Sequence, residues 1–175
     1  ASGHLQGQLL RMLTGMIRPK VVVEIGTYSG YSALSMAAGM TADAVLHTFE
    51  INDEQEVFTR PWLEGSPYPP RIVLHIGEVE KLLPLMNLSI DLAFIDANKR
   101  QYVDYYNLLM PFIAPGGYIL ADNTLWDGHV IDPAYDRDAQ TRGIRAFNDL
   151  VRDDERVEKV ILPLRDGLSL IRKIG

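Results

Sequence analysis

Short apolar runs recur along the chain and alternate with segments of helical periodicity. Five of them cover residues 21–25, 44–49, 71–76, 90–95 and 118–121. Nearly continuous apolar runs are typical of parallel strands that are buried on both faces. Two more runs, 157–162 and 168–171, flank an Asp-Gly turn, a pattern that predicts an antiparallel hairpin at the edge of a sheet. The sequence therefore predicts an α/β fold, a doubly wound, mostly parallel seven-stranded sheet with an antiparallel C-terminal hairpin.

The segments between the runs predict helices and loops. Helical spacing covers residues 5–17, 31–40, 52–63, 79–86, 100–113 and 141–152, and Pro61 is expected to end or kink its helix. Pro115-Gly116-Gly117 predicts a turn before the fifth strand. Residues 123–140 have no sustained period and predict a long loop, of the kind that forms lids or binding segments. A length of 175 residues suits a single domain, 1–175.

Composition argues against several classes of partner. Seventeen basic and 23 acidic side chains give a net charge of −6 without a Lys/Arg block, so nucleic acid or an anionic membrane is not expected. No apolar run reaches membrane-spanning length and no signal peptide is visible, which makes the cytoplasm the default expectation. With no cysteine there is no disulfide or thiolate zinc site. A small molecule is the expected partner.

The first strand-helix-strand unit carries candidate residues for a nucleotide-like ligand. Ligands of doubly wound sheets bind outside the carboxyl ends of the strands. Glu24-x-Gly26-x-x-x-Gly30 allows the backbone to approach a ligand closely, although a tight turn would need the same glycines. Glu50 is suited to accept hydrogen bonds from ribose hydroxyls of either an adenosyl cofactor or NAD. Glu78 and Val79, after the third strand, would flank an adenine, and the absence of Gly-x-Gly-x-x-Gly weakens the dinucleotide alternative.

Oxygen donors follow the fourth and fifth strands. Asp96, Asp122 and Asn123 suit Mg²⁺ or a similar hard cation, whereas an isolated Asp at such a place is most often a helix cap. Lys99 comes three residues after Asp96, and a nearby dication would disfavour its protonated form, so that it could serve as a base. A solvated lysine is the plainer alternative. The four histidines have no i, i+4 pair and are not expected to bind metal.

Several motifs resemble those of the cation-dependent class I S-adenosylmethionine O-methyltransferases, which include the catechol and caffeoyl-CoA enzymes. The motifs occur in the family's order and at matching spacing, from about Gly7 to Ile171. They are Val23-Glu24-Ile25-Gly26-Thr27-Tyr28-Ser29-Gly30-Tyr31-Ser32, Phe94-Ile95-Asp96-Ala97-Asn98-Lys99 with Tyr102, Tyr105 and Tyr106, Pro115-Gly116-Gly117, Ala121-Asp122-Asn123 with Trp126, and Arg142-Gly143-Ile144-Arg145-Ala146-Phe147-Asn148.

The resemblance implies a Rossmann-like class I methyltransferase fold and a set of site residues. Asp96, Asp122 and Asn123 match the family's ligands for Mg²⁺, Mn²⁺ or Ca²⁺, and Lys99 matches the lysine that deprotonates the acceptor hydroxyl. Further matches lie around S-adenosylmethionine: Glu50 at the ribose, and Gly26, Tyr28 and Ser32 at the methionine part. The expected cofactor-binding set is completed by Glu24, Gly30, Glu78, Val79 and Asp96. The implied reaction is methyl transfer to a vicinal dihydroxy aromatic. Gly77-Glu78-Val79 departs from the family's usual Gly-Asp-Ala, which weakens a direct contact from Glu78 to adenine.

Two other functions remain open at this stage. A nicotinamide-dependent oxidoreductase would use the same fold, and a cofactor-binding module without catalysis would use the same loop. Relatives carry further helices before the position of Gly7, so we expect this chain to lack them. The resemblance alone suggests a homodimer.

Overall fold

The protein is described by a computed structural model that covers residues 3–175. Six α-helices alternate with seven strands in this range. The helices are α1 His4–Ile17, α2 Tyr31–Ala37, α3 Glu56–Glu64, α4 Val79–Met86, α5 Tyr102–Leu109 and α6 Ala139–Asp153. The strands are β1 Val21–Ile25, β2 Val45–Glu50, β3 Arg71–Ile76, β4 Ile90–Ile95, β5 Ile113–Asp122, β6 Val157–Leu162 and β7 Leu168–Lys173.

All seven strands belong to one sheet in the order β3-β2-β1-β4-β5-β7-β6. β1 pairs with β2 and β2 with β3 in parallel, whereas β7 is antiparallel to both β5 and β6. The order reverses direction after β1, as it does in doubly wound sheets, and the hairpin β6–β7 forms one edge. The predicted fold class, including the seven strands and the antiparallel hairpin, is confirmed.

The chain divides into two compact units, the first ending at Asp91 and the second beginning at Leu92. In the first unit, α1 packs closely on α2. A Cβ atom on Gly39 would lie 2.1 Å from the Arg11 carbonyl oxygen, so only glycine fits there. The Thr14 hydroxyl lies in the same contact and donates to the Met36 carbonyl at 2.9 Å.

In the second unit, α5 and α6 share an aromatic cluster. Phe147 of α6 meets Tyr102 and Tyr106 of α5 edge to face, with ring centroids 5.4 and 5.9 Å away. All three rings are fully buried. Edge-to-face pairs at this spacing add to the stabilisation from burial. The cluster anchors α6 beside the residues that follow β4.

Several predicted boundaries were wrong. The helix predicted for residues 52–63 covers Glu56–Glu64, so it starts later than predicted and does not end at Pro61. The carbonyl four residues before this proline belongs to Val57, whose side chain is 80% exposed, so water can replace the missing hydrogen bond. The helix predicted to extend to residue 113 ends at Leu109, and β5 already begins at Ile113, so Pro115-Gly116-Gly117 lies within a strand.

The predicted loop 123–140 also contains more structure than expected. Two 3₁₀ segments, Trp126–Ile131 and Pro133–Tyr135, lie within it, and α6 begins at Ala139. Asp138 caps α6, since its carboxylate accepts a hydrogen bond from the Thr141 amide at 2.7 Å. Within residues 3–175, no helix combines the length and the apolar character that crossing a membrane requires.

Candidate active site

The loop between β1 and α2 is held in a defined conformation by backbone bonds. Gly26 and Thr27 both donate their amides to the Phe49 carbonyl, at 3.0 and 3.2 Å. Gly26 has φ 103° and Gly30 has φ 77°, conformations that favour glycine. The Tyr28 carbonyl accepts from the Thr59 hydroxyl at 2.6 Å. The glycines are therefore needed for the turn itself, whether or not a ligand approaches it.

Glu24 is fully buried beneath this loop. Its Oε1 accepts a hydrogen bond from the Ser32 hydroxyl, and its Oε2 accepts one from Thr48 at 2.6 Å. The Thr48 hydroxyl also lies 2.5 Å from that of Thr27. Glu24 and Ser32 thus connect β1, β2 and the start of α2. Contact of either side chain with a cofactor remains a prediction.

Glu50, at the end of β2, faces the same loop. One carboxylate oxygen accepts from the Tyr28 amide at 2.8 Å, and the other accepts from the Asn52 amide at 2.9 Å. Each carboxylate oxygen has a second lone pair, so these bonds leave acceptor capacity for ligand hydroxyls. The Tyr28 ring is 60% exposed. The structure therefore brings Glu50 to the glycine loop, as the sequence predicted.

Glu78 and Val79 lie where β3 leads into α4. The Glu78 carboxylate forms an ion pair with Lys81 at 2.8 Å, and both side chains are largely exposed. Val79 is only 4% exposed. Val79 is thus part of the core, and Glu78 already has a partner on its own helix. Neither observation tests the predicted place beside an adenine.

Asp96, Lys99 and Tyr102 form a connected group after β4. The Lys99 ammonium donates to Asp96 Oδ1 at 2.9 Å and to the Tyr102 hydroxyl at 3.0 Å. The Lys99 side chain is only 10% exposed, so Lys99 is not a solvated surface lysine, the alternative that the sequence had left open. A Cβ on Gly143 would lie 2.4 Å from the Lys99 carbonyl oxygen, so glycine at this position lets α6 pack directly against the lysine's backbone.

The Tyr102 hydroxyl joins the carboxyl ends of β4 and β5. It donates to the Asp122 carbonyl at 2.8 Å and lies 3.3 Å from the Ile95 carbonyl. Burial raises the pKa of this hydroxyl well above its usual value, and the carboxylates of Asp96, Asp122 and Asp166 also raise it. The ends of β4 and β5 therefore meet, and three carboxylates lie close enough to influence one hydroxyl.

Asp122 is the last residue of β5, and Asn123 follows it in a tight turn. Asp122 is 2% exposed, and its Oδ1 accepts the Asn123 amide at 2.8 Å. Asn123 has φ 62°, a left-handed conformation that asparagine tolerates better than most residues. The Asn123 side-chain amide group donates to Asp166 at 3.2 Å.

The donor set at these strand ends fits a hard cation. Two carboxylates and one amide oxygen are the ligand types that Mg²⁺ or Ca²⁺ prefers. Nowhere between residues 3 and 175 do three His, Cys, Asp or Glu side chains cluster in a way that could hold a metal ion. The set of Asp96, Asp122 and Asn123 has two carboxylates and an amide, so metal binding here stays a prediction on ligand chemistry.

The histidines do not contribute to this set. His47 and His75, on neighbouring strands β2 and β3, share a hydrogen bond of 3.0 Å between ring nitrogens. Burial, together with the neighbouring charges of His75 and Arg71, lowers the pKa of His47 to about 4. His75 also has a lowered pKa because of burial. Both rings are therefore neutral near pH 7, and their hydrogen bond links β2 to β3.

The segment after Asn123 passes over Lys99. The Lys99 ammonium lies 5.9 Å from the Trp126 ring centroid, within cation–π range. Trp126 and Asp127 both have positive φ, 48° and 50°. Arg145 of α6 holds the following residues by donating to the carbonyls of His129, Val130 and Asp132 at 2.8–2.9 Å.

Four residues of these networks escaped the sequence analysis. Thr48 lies inside β2, Tyr102 and Arg145 entered it only within motifs, and Asp166 only as a turn residue. Their partners are distant in the sequence, since Asp166 meets Asn123 across 43 positions and Thr48 meets Glu24 across 24. The Asp-Gly turn signalled the hairpin, but no local pattern could show that the turn contacts the end of β5.

The fold and the polar strand ends together define a class I methyltransferase. Two solved structures illustrate the likeness. The O-methyltransferase TomG from Streptomyces achromogenes, in complex with S-adenosylmethionine, has a TM-score of 0.92 at 26% identity, over 100% of this chain and 82% of that one. An O-methyltransferase from Bacillus cereus, in complex with S-adenosylhomocysteine, has a TM-score of 0.90 at 26% identity, over 99% and 82%.

Sequence comparison places the chain within that class. The profile of the O-methyltransferase family matches residues 2–174, and the chain belongs to this family of enzymes. It is 34% identical to the caffeoyl-CoA O-methyltransferase of Mesembryanthemum crystallinum, over 97% of this chain and 71% of the relative. The same identity holds for caffeoyl-CoA O-methyltransferase 2 of Eucalyptus globulus, over 97% and 73%. The resemblance that the motifs indicated is confirmed.

Proposed function

We propose that this O-methyltransferase uses S-adenosylmethionine and a divalent cation to methylate one hydroxyl of a vicinal dihydroxy aromatic. The observation that carries the proposal is the placement of Lys99. Its amine is largely buried and lies within hydrogen-bonding distance of Asp96 and Tyr102. A base needs such an enclosed and oriented position to accept a proton from a substrate.

The first unit supports the cofactor part of the proposal. Its glycine loop and Glu50 are arranged on one strand-helix-strand unit, and Glu50 retains lone pairs for the two ribose hydroxyls. Gly26, Tyr28 and Ser32 would lie around the methionine part, and the buried Glu24 holds Ser32 by accepting its hydroxyl proton in a hydrogen bond. The named ligands of two similar structures, S-adenosylmethionine and S-adenosylhomocysteine, point to the same cofactor.

The two hydrogen bonds of Lys99 leave a third position on its nitrogen, where a neutral amine would carry its lone pair. A neutral amine has two N–H groups and one lone pair. Asp96 and Tyr102 can receive the two N–H groups, because the Tyr102 hydroxyl gives its own proton to the Asp122 carbonyl. The lone pair then remains for the acceptor hydroxyl. Asp96 and Tyr102 would therefore orient the base as well as enclose it.

Asp96, Asp122 and Asn123 would hold the cation. A dication bound to them would lower the pKa of a coordinated acceptor hydroxyl. Lys99 takes the hydroxyl proton, the acceptor oxygen forms a bond to the methyl carbon, and the bond from that carbon to sulfur breaks with its electrons left on sulfur. The products are the methyl ether, S-adenosylhomocysteine and a proton on Lys99. The chain's own contribution is orientation and charge placement.

Three considerations support a vicinal dihydroxy aromatic as the acceptor. A cation that binds two adjacent oxygens selects a vicinal diol, and the half-buried loop residue Trp126 offers an aromatic surface near Lys99. The relatives are named for caffeoyl-CoA, which carries such a ring. We therefore propose catechols and hydroxycinnamoyl thioesters as the first acceptors to test.

The test is transfer of a labelled methyl group to a panel of these acceptors, with Mg²⁺, Mn²⁺ or Ca²⁺ and with a chelator. We expect activity that needs the cation and that Asp96→Ala abolishes. The Lys99→Met variant should bind S-adenosylhomocysteine like the wild type but lose about 10²–10⁴-fold in kcat, the usual contribution of a general base. Activity that persists with chelator and in Asp96→Ala would refute the metal mechanism.

The two other functions predict different outcomes of binding measurements. Tight binding of NAD without binding of S-adenosylhomocysteine would favour an oxidoreductase. Binding of S-adenosylhomocysteine without transfer to any acceptor would favour a module without catalysis. A homodimer is expected from the resemblance alone, and sedimentation equilibrium of the purified chain would test it.

A further inference from the structure

The turn between β6 and β7 packs against the residues that follow β5. The Leu125 amide donates to the Asp166 carbonyl at 2.9 Å, and the Thr124 amide donates to the Gly167 carbonyl at 3.3 Å. A Cβ on Gly167 would lie 2.6 Å from the Leu125 side chain, so the approach is close. These bonds are made by the backbone, and they hold the turn in place whatever the side chain at position 166 is.

The Asp166 side chain makes two bonds of its own. Its Oδ2 accepts from Asn123 Nδ2 at 3.2 Å, and its Oδ1 accepts from the Asp127 amide. An ionised carboxylate is an acceptor without a donor proton. It can therefore bind the NH₂ end of the Asn123 amide and would repel the oxygen end.

This contact determines which end of the Asn123 amide is free. When the NH₂ group of the amide is bonded to Asp166, the amide oxygen faces away from Asp166. Amide oxygens bind cations, whereas the NH₂ group does not. If the amide were rotated by half a turn, it would present two N–H groups to the cation site and lose a ligand.

We propose that Asp166 is a positioning residue that orients Asn123 with its oxygen available to the cation and joins this ligand to the start of the loop at Asp127. This assignment rests on the proposed function, since it requires a cation at Asp96, Asp122 and Asn123. Partners of metal ligands typically affect metal affinity by about 10–100-fold when they are replaced.

The first experiment measures Mn²⁺ binding to the purified chain by electron paramagnetic resonance, without substrate or turnover. We expect Asp166→Ala to weaken binding by about 10–100-fold. Asp149→Ala is the matched control, because Asp149 is an exposed aspartate on α6 of the same unit, and its loss should change Mn²⁺ affinity less than about threefold. Thermal unfolding of each variant shows whether the chain remains folded.

The second experiment exchanges the two side chains. Asn123→Asp alone places two carboxylates where the 3.2 Å bond now lies and should disrupt the site. The Asn123→Asp, Asp166→Asn double variant restores an NH₂ group facing a carboxylate, and asparagine and aspartate both tolerate the left-handed conformation at position 123. We expect the double variant to bind Mn²⁺ at least about tenfold more tightly than Asn123→Asp alone, by the usual size of such partner effects.

The outcomes separate this assignment from the proposed function. If the wild type binds Mn²⁺ and folded Asp166→Ala binds it equally well, the role of Asp166 is overturned and the proposed metal site stands. Absence of Mn²⁺ binding by the wild type would overturn the proposed metal site and this assignment with it. A double variant no better than Asn123→Asp would also contradict the orienting role.

Discussion

Substitution of Gly143 by alanine tests whether the position of Lys99 controls the reaction. A Cβ at residue 143 would lie 2.4 Å from the Lys99 carbonyl oxygen and 2.8 Å from the Arg100 Cα. Ordinary contacts of a Cβ begin at 3.4 Å, so α6 and the Lys99 turn must move apart by about 1 Å. Both obstructing atoms belong to backbone, and rotation of a side chain cannot relieve the contact.

The effect on rate should exceed the effect on stability. Alanine gains about 1 kcal/mol in helix propensity over glycine, whereas overpacking costs about 1–3 kcal/mol, so the net loss of unfolding free energy is about 0–2 kcal/mol. A displacement of about 1 Å at a catalytic group can cost about 100-fold in rate. We therefore expect kcat for methyl transfer to fall about 100-fold while binding of S-adenosylhomocysteine is unchanged.

Gly15→Ala is the matched control for this substitution. Gly15 is an exposed residue of α1, and a Cβ there would lie 3.8 Å from the Gly39 carbonyl oxygen, an ordinary contact. This variant should gain about 0.5–1 kcal/mol in unfolding free energy and keep its kcat. Urea unfolding and steady-state kinetics of both variants provide the measurement. A folded Gly143→Ala enzyme with wild-type kcat would refute the argument that this packing positions Lys99.

Two further substitutions test the networks around the site and in the sheet. Tyr102→Phe leaves the buried Asp122 carbonyl without its hydroxyl donor and should cost about 1–3 kcal/mol in urea unfolding, together with a fall in kcat from the loss of one Lys99 partner. A variant with unchanged unfolding free energy would contradict this. The His47 pKa is about 4 in the folded chain against 6.5 in the unfolded chain, so its contribution to stability is present above pH 6.5 and is lost as the pH falls towards 4. The loss should be about 1 kcal/mol, allowing for partial solvent exposure, and His47→Gln should remove it from the pH dependence of urea unfolding.

The strands were predictable because each is a nearly continuous apolar run. β1, β3, β4 and β6 begin and end at the predicted residues. Their burial is a property of the run itself, and no distant partner is needed to recognise it. The change from apolar to polar residues at the ends of β4 and β5 is also visible locally, which is why the sequence alone could propose Asp96 and Asp122 as site residues. The two strand ends meet because β4 and β5 are neighbours in the sheet, and this order is not visible in either run alone.

The wrong boundaries arose where tertiary packing outweighs local signals. Proline at position 61 is tolerated because the helix surface there is exposed, and Pro115-Gly116-Gly117 is part of a strand in spite of its turn composition. The partners of the candidate site were inaccessible for another reason. A single sequence does not show that Asp166 meets Asn123, or that Gly143 meets the Lys99 backbone, because both contacts join residues more than forty positions apart.

The way in which Arg145 holds the loop after Trp126 bears on how the surface of this loop can diversify. Three of its bonds go to main-chain carbonyls, those of His129, Val130 and Asp132, which every amino acid supplies. The side chain of Ile131, between them, is 86% exposed and takes no part in the anchorage. Mutations at this surface can therefore accumulate at little cost to folding. The loop combines a backbone path that does not depend on its side chains with an outer face that can vary, so its surface chemistry can change while its course along the protein is kept.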